Sequence, residues 1–421
     1  MSHSGIITDQ AEKVIARCKR LASVTETPGS TCRTFLSVAM RECYREVGEW
    51  LETAGADVRI DAAGNLRGVY PAAQTAAPRL LLGSHLDTVP DAGAYDGVLG
   101  VVLAVSLLET LEDHKLPFAI EAIGFSEEEG IRFGTPFIGS RALAGKLDDE
   151  LLNRKDTNGV SVRTAIENFG LKPTDISKAA MSNDTLAYVE FHIEQGPVLE
   201  SLGIPLGVVE GIAGQTRGEF TFLGRANHAG TTPMNLRHDA MSAAAEWILE
   251  VERLAKREKG LVATVGRIAA TPNAANVIAG QVRLSLDVRH KSDNVRARAA
   301  DFLAVQAEEI SRRRGLTLER KILLNQPAAS MDPFLIDQIE QAAGKAGCST
   351  RRMVSGAGHD AMILAEQIPT AMIFLRTPGG ISHHPSESVS VEDVAKAIEC
   401  GTLLLTQLAG SVEFQKRMCR A

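Results

Sequence analysis

Five clusters of histidine and carboxylate punctuate this chain, and four of them directly follow a β-like apolar run or lie in the glycine-rich loop just after one. In chain order they are His85-Leu86-Asp87, Asp96-Gly97, Glu127-Glu128-Glu129-Gly130, His192-Ile193-Glu194-Gln195 and Ser382-His383-His384-Pro385. An apolar run that ends in a polar loop is how a mixed α/β sheet presents ligands along one edge. The pattern therefore constrains fold and chemistry together, and metal-assisted hydrolysis is the leading expectation.

A chain of 421 residues exceeds one ordinary core, so two or more compact units are expected. Hydrophobic content of 44%, charge content of 23% and a net charge of −7 describe a soluble globular protein and argue against a nucleic-acid or anionic-membrane surface. No apolar stretch approaches the roughly 20 residues needed to span a bilayer. The N-terminus lacks a basic-then-apolar export signal, which places the protein in the cytoplasm. The six cysteines (Cys18, Cys32, Cys43, Cys348, Cys400, Cys419) form no CxxC pair and read as reduced structural thiols.

Amphipathic periodicity predicts helices over Asp9–Ala22 and Thr34–Ala54, then a strand pair over Val58–Val69 turning at Gly64-Asn65. Arg79–Gly83 and Phe118–Phe125 read as buried strands, with an apolar helix over Val98–Leu111 between them. From about Gly214 the texture changes. Thr216–Leu223, Gly260–Ile268, Gln281–Arg289 and Thr317–Leu324 read as strands, with helices over Asp239–Lys256 and Asn294–Arg314. That order, β-α-β-β-α-β, is the split βαβ of a ferredoxin-like sandwich. After Pro327 the first texture resumes, with a helix over 333–346, strands near Arg351–Val354 and Thr370–Leu375, and a helix over 391–409. The expected fold is α/β: a two-metal, aminopeptidase-like catalytic domain with a mixed, largely parallel sheet (1–213 and 327–421), interrupted by a ferredoxin-like α+β lid and dimerisation domain (214–326).

Imidazole and carboxylate suit zinc and neighbouring divalent ions. His85 and Asp87 leave a strand on the same side, so Asp87 is placed to orient the His85 ring. Asp96, nine residues later between glycines, suits a carboxylate shared by two cations. The triplet Glu127-Glu128-Glu129 reads either as a solvated turn or as a strand-end site in which one glutamate binds metal while its neighbour serves as general base. His192 and His383 supply further imidazoles, with His384 directly beside the second.

These stretches, GSHLDT at 83–88, Tyr95-Asp96-Gly97, FSEEEGIRF at 125–133, FHIEQG at 191–196, GRANHAGTTP at 224–233 and GISHHP at 380–385, are similar to those of M20-type metallo-amidohydrolases. Within that group the chain resembles the hydantoinase/carbamoylase branch: N-carbamoyl-L-amino-acid hydrolases, ureidopropionases and allantoate amidohydrolases. The resemblance implies two divalent ions per subunit, Zn²⁺ or Mn²⁺ with Co²⁺ or Ni²⁺ as alternatives. One would be held by His85 and His192, the other by Glu129 and His383, with Asp96 bridging and Glu128 as the base. It gives Glu127 no catalytic part.

The insert carries a polar cluster of its own, His228, Asn276 and Arg289. An arginine at a strand end is either a surface charge or a bidentate clamp for a carboxylate. The resemblance implies the clamp, with Gln195 and Asn276 also holding substrate and His228 stabilising an oxyanion from the partner subunit of a homodimer. His359, within Gly356–Asp360, is a further candidate for the pocket wall; His238 reads as structural. The insert is expected to close over substrate, hinging near Gly211–Gly214 and Asn325–Pro327. The implied reaction is hydrolysis of a ureido C–N bond in a small carboxylate, releasing ammonia and carbon dioxide, with allantoate ranked ahead of N-carbamoyl-L-amino acids or ureidopropionate. An N-acyl amino-acid deacylase or peptidase is the rival activity, and a catalytically dead metal-binding module the rival class. Retention of Glu128 and Asp87 speaks against the last.

Overall fold

The computed structural model describes residues 3–112 and 114–418, so Cys419 lies outside the described residues. The chain divides into two compact units, Met1–Glu210 with Met331–Ala421, and Gly211–Ser330.

In the first unit a sheet includes the order Leu206–Ile212, Thr370–Leu375, Thr185–Ile193, Arg79–His85, Ala119–Phe125, Leu66–Tyr70, Asp57–Ile60, and Thr350–Ser355, near the strand expected at Arg351–Val354, also pairs with Leu206–Ile212. The four strands from Thr370–Leu375 to Ala119–Phe125 are parallel, and those on both flanks are antiparallel. The outermost pair is the hairpin expected at Gly64-Asn65, where Asp61 accepts the N–H groups of Ala63 and Asn65. Parallel strands covered on both faces are enclosed along their length, and all nine residues of Thr185–Ile193 are buried. The polar-looking Glu190 is therefore inside, where it accepts from Ser84 Oγ at 2.8 Å and from the Ala361 N–H at 3.1 Å. The helix Val98–Thr110 is buried from Val98 to Leu108. It packs on the strands Arg79–His85 and Thr185–Ile193, and helices His3–Ala22 and Val391–Gly410 cover it.

Three expectations changed at element level. The helix predicted from Thr34 begins at Val38, because Ser37 caps it by accepting from the Met40 N–H. Leu206–Ile212 is a strand that no period signalled, since its residues are buried without alternation. The strand expected over Gly260–Ile268 breaks into Val262–Thr264 and Ile268–Thr271. There residues 265–267 face only 285–286 of the partner strand, a bulge secured by the Arg267 N–H on Ser285 Oγ.

The second unit holds an antiparallel sheet ordered Val262–Thr264, Gln281–His290, Gly214–Leu223, Thr317–Gln326, with Ile268–Thr271 also on Gln281–His290. Helices Ala240–Arg257 and Asp293–Arg314 pack on it around Trp247, Phe220 and Phe222. The Trp247 indole N–H donates to the Leu303 carbonyl at 2.9 Å, so this large ring is buried without an orphaned donor.

Candidate metal centre

Arg79–His85 and Thr185–Ile193 are parallel neighbours, so their C-terminal ends emerge at one sheet edge. His85 is the last residue of the first strand and His192 the penultimate residue of the second. Their rings stack with centroids 5.7 Å apart. Each Nδ1 is taken by a nearby backbone carbonyl, that of Asp87 at 3.0 Å and of Ile193 at 2.9 Å, which leaves both Nε2 atoms facing the same point.

Asp96 meets them there. Its Oδ1 lies 3.5 Å from His85 Nε2 and 3.3 Å from His192 Nε2, while its Oδ2 lies 3.2 Å from His383 Nε2. His383 Nε2 is also 3.4 Å from Glu129 Oε1. Close approach requires glycine at 97: with φ at +67°, a Cβ there would run into the His85 ring. His384 turns away, its Nδ1 accepting the Ser386 N–H at 3.1 Å, so the structure brings His383 and not His384 to the carboxylates.

The acidic triplet divides its labour. Glu127 is enclosed and accepts the N–H groups of Phe35 and Arg132 at 3.1 Å, pinning the loop. Asp87 accepts the N–H of Glu128 (2.9 and 3.0 Å) and of Glu129 (3.0 Å). Its carboxylate is 3.5 Å from His85 Nδ1, so Asp87 organises the glutamate turn as well as the imidazole. Glu128 and Glu129 thereby reach the centre. Potential donor atoms of His85, Asp96 and His192 lie within 4.8 Å of one another, as do those of Asp96, Glu129 and His383, and those of His85, Glu128 and Glu129.

The electrostatics fit cations. Burial pushes the Glu128 carboxyl well above the usual range, and burial with Asp96 nearby takes Glu129 to about 7. Burial opposes charge on His85 and His192 too, yet their carboxylate neighbours raise both, and Asp96 takes His383 to about 9. Asp96 itself is held well below the usual range, the three imidazoles outweighing its burial. The donor set, three imidazole nitrogens and several carboxylate oxygens, suits divalent cations.

Several side chains occupy places the sequence did not indicate. Gln195, expected at substrate, has positive φ, and its Nε2 donates to Asp96 Oδ2 at 2.7 Å. Ser382 Oγ donates to the same oxygen at 2.6 Å. His359 is buried behind His192 with ring centroids 4.5 Å apart, its Nε2 2.8 Å from Ser355 Oγ. Burial first, and His192 second, keep its imidazole neutral. Glu387, which carried no signal, accepts the N–H groups of Tyr95 and Asp96. Glu194 accepts from Val198 and Leu199 at the start of the helix Val198–Leu202.

In the second unit His228 and Asn276 are exposed neighbours. His228 pairs with Val277 across a two-residue ladder, and the Asn276 carbonyl accepts the Ala229 N–H at 2.9 Å. Arg289 lies toward the far end of Gln281–His290 and is ion-paired with Asp287. Eight residues of extended chain separate Arg289 from Gln281, about 26 Å away, and the Gly224 N–H on the Gly280 carbonyl ties the segments of His228 and Asn276 near the Gln281 end.

The sheet order and the clustered imidazole and carboxylate donors at its strand ends make this a candidate metal centre. The family model described as peptidase family M20/M25/M40 matches residues 81–407, and the chain belongs to this family. It is 38% identical to an allantoate deiminase of Arabidopsis thaliana, over 94% of this chain and 81% of that one. It is likewise 38% identical to an N-carbamoyl-L-amino acid amidohydrolase of Geobacillus stearothermophilus, over 95% and 99%. The crystal structure of a hydantoinase/carbamoylase family amidase from Burkholderia multivorans superposes with a TM-score of 0.89, at 31% identity, covering 94% and 97%.

Proposed function

We propose that this protein hydrolyses a ureido C–N bond in a small carboxylate substrate, with two divalent ions, Zn²⁺ or Mn²⁺ and alternatively Co²⁺ or Ni²⁺. The observation that carries the reading is Asp96, whose two oxygens face two different donor sets while Glu128 stands beside them. His85 and His192 would hold one ion, Glu129 and His383 the other. When bound, the ions would acidify a shared water and polarise the scissile carbonyl.

Glu128 takes a proton from the attacking water and returns it to the leaving nitrogen, a role suited to an enclosed carboxylate close to its acceptor. Asp87 keeps Glu128 in place through the backbone N–H. Arg289, Asn276 and Gln195 hold the substrate, His359 backs the pocket, and His228 donates to the developing oxyanion. The carbamate so released decomposes to carbon dioxide and ammonia.

The placement of Arg289 toward the end of Gln281–His290 opposite the Gly224–Gly280 contact supports a homodimer in which one small substrate receives Arg289 from one subunit and His228 from the other. So does the outer strand of the inserted unit, Thr317–Gln326, which exposes Ile322 and Leu323 and ends its sheet among the described residues. The insert would act as lid and dimerisation domain. We place the protein in the cytoplasm, a compartment where buried thiols such as Cys18, Cys43 and Cys400 persist.

Allantoate ranks first, supported by the curated relative above, and N-carbamoyl-L-amino acids second, supported by a relative of equal identity. The test is ammonia release by Mn²⁺- or Zn²⁺-reconstituted protein on allantoate, N-carbamoyl-L-amino acids and N-acetyl amino acids in parallel. Release from allantoate alone is expected. Release from carbamoyl amino acids instead selects the second substrate, and amino acid freed only from the acetyl compounds overturns the ureido reading.

A further inference from the structure

We propose that Glu387 is a positioning residue for the bridging carboxylate, fixing the backbone of Asp96 so that its two oxygens point at different donor sets. The inference rests on the reading of Asp96 as a ligand shared by two ions.

Three observations carry it. First, Glu387 is only 5% exposed, and its Oε1 accepts two consecutive backbone N–H groups, Tyr95 at 2.8 Å and Asp96 at 3.0 Å. Secondly, the loop is moulded to this side chain: a Cβ on Gly93 would lie 2.5 Å from Oε1 and 2.6 Å from Cδ, so glycine alone lets the 93–96 segment close on it. Thirdly, Glu387 belongs to the short segment that already grips the Asp96 side chain through Ser382 Oγ and His383 Nε2. The Glu387 N–H donates to the His384 carbonyl at 3.0 Å, which closes that segment into a turn.

Residues 382–387 thus clamp Asp96 from both ends, the side chain from one side and the peptide from the other. A carboxylate next to another carboxylate, with no lysine or arginine among its hydrogen-bond partners, is a costly way to tie two loops together. Its other oxygen, Oε2, is buried and has no hydrogen-bond partner among the described residues. What the arrangement does is fix the direction of the two N–H groups. Outer partners that orient a metal ligand typically change metal affinity about 10- to 100-fold when removed.

The test compares the full-length wild-type protein with Glu387→Ala and Glu387→Gln, titrated with Mn²⁺ and followed by electron paramagnetic resonance. Thermal unfolding of each metal-free protein is recorded in parallel. Wild type is expected to take up two equivalents. Glu387→Ala should keep the first within a few-fold and weaken the second about tenfold or more. Glu387→Gln, which retains an acceptor oxygen at the same reach, should recover most of that loss. A purely structural tie would lower the unfolding temperature while leaving the ratio of the two affinities unchanged, and that result overturns the inference. If Glu387→Ala does not fold, Glu387→Asp, which withdraws the acceptor by one methylene, must show the same selective loss. A wild-type protein that binds fewer than two equivalents sinks the two-ion reading itself, whatever the variants do.

Discussion

The guanidinium of Arg289 holds the carboxylate of Asp287 in a two-pronged grip, with Nε 2.9 Å from Oδ1 and Nη2 3.0 Å from Oδ2. The two residues are i and i+2 on one strand and share a face. Arg217 Nε at 3.0 Å and Gln215 Nε2 at 2.6 Å also donate to Asp287, so the carboxylate is anchored to the adjacent strand and fixes the plane of the arginine fork. Lysine cannot reproduce that geometry. Arg289→Lys should raise KM for the carboxylate substrate about 10- to 100-fold, the worth of one charged hydrogen-bond pair, with a smaller change in kcat. Steady-state kinetics that show an unchanged KM would remove Arg289 from the substrate site.

The same pair sets a pH dependence. Burial raises the Asp287 carboxyl, but Arg289, Arg217 and Gln215 outweigh it and hold the group below its ordinary value. A depressed folded-state pKa contributes stability above the unfolded value, near 4, and that contribution is lost as pH falls through the folded value. In metal-free protein, the gap in Tm between wild type and Asp287→Asn should be constant above about pH 5 and narrow toward about pH 3. A gap that stays the same across that range contradicts the assignment.

Glu128→Gln keeps the size of the side chain and removes its basicity. Turnover should fall by about 10²- to 10⁴-fold, the usual contribution of a positioned base. Metal stoichiometry should be unchanged, because the Glu128 N–H still bonds Asp87. Near-normal kcat would reassign the base.

Chelation should abolish activity and lower Tm, since a cluster of buried carboxylates and imidazoles loses its countercharge. Adding Mn²⁺ or Zn²⁺ back should restore both. Activity that survives exhaustive dialysis against a chelator, with metal analysis confirming removal, would exclude a metal-dependent reaction.

If His228 acts across a dimer, two inactive variants should complement. Mixing Glu128→Gln with His228→Ala and allowing subunits to exchange puts one intact site in each heterodimer, so about a quarter of wild-type activity should return. No recovery, with heterodimers demonstrated by native mass spectrometry, would place His228 in its own subunit's site or in none.

The centre was readable in the sequence because His85, Glu128, Glu129 and His192 lie at the ends of buried strands or in the turn that follows one. An apolar run broken by histidine or glutamate marks that boundary locally. Asp96 and Gln195 were each singled out as candidates, but their mutual hydrogen bond was not foreseen, because 99 residues separate them. Glu387 left no trace: its partners are backbone N–H groups about 290 residues earlier, and such contacts have no residue type to read. Glu190 was obscured differently. In an isolated segment a glutamate between Val189 and Phe191 suggests a solvent-facing position, and only the Ser84 hydroxyl and Ala361 N–H make it an interior one. The parallel centre of the sheet followed from alternating strands and helices. The strand Leu206–Ile212 did not, since its pairing with Thr370–Leu375 depends on a segment more than 150 residues away.

The parallel pairing of Thr370–Leu375 with Thr185–Ile193 has a consequence for biosynthesis. A ribosome makes the central strand long before its neighbour, and the intervening 211–330 unit, contiguous in sequence, has all its strands in hand first. The nascent chain therefore carries a strand destined for full burial with one hydrogen-bonding edge open until residue 375 clears the exit tunnel. His383 emerges later still, so if it holds an ion as proposed, metal capture would belong to the last stage of folding, and the exposed edge is where a chaperone would be needed most.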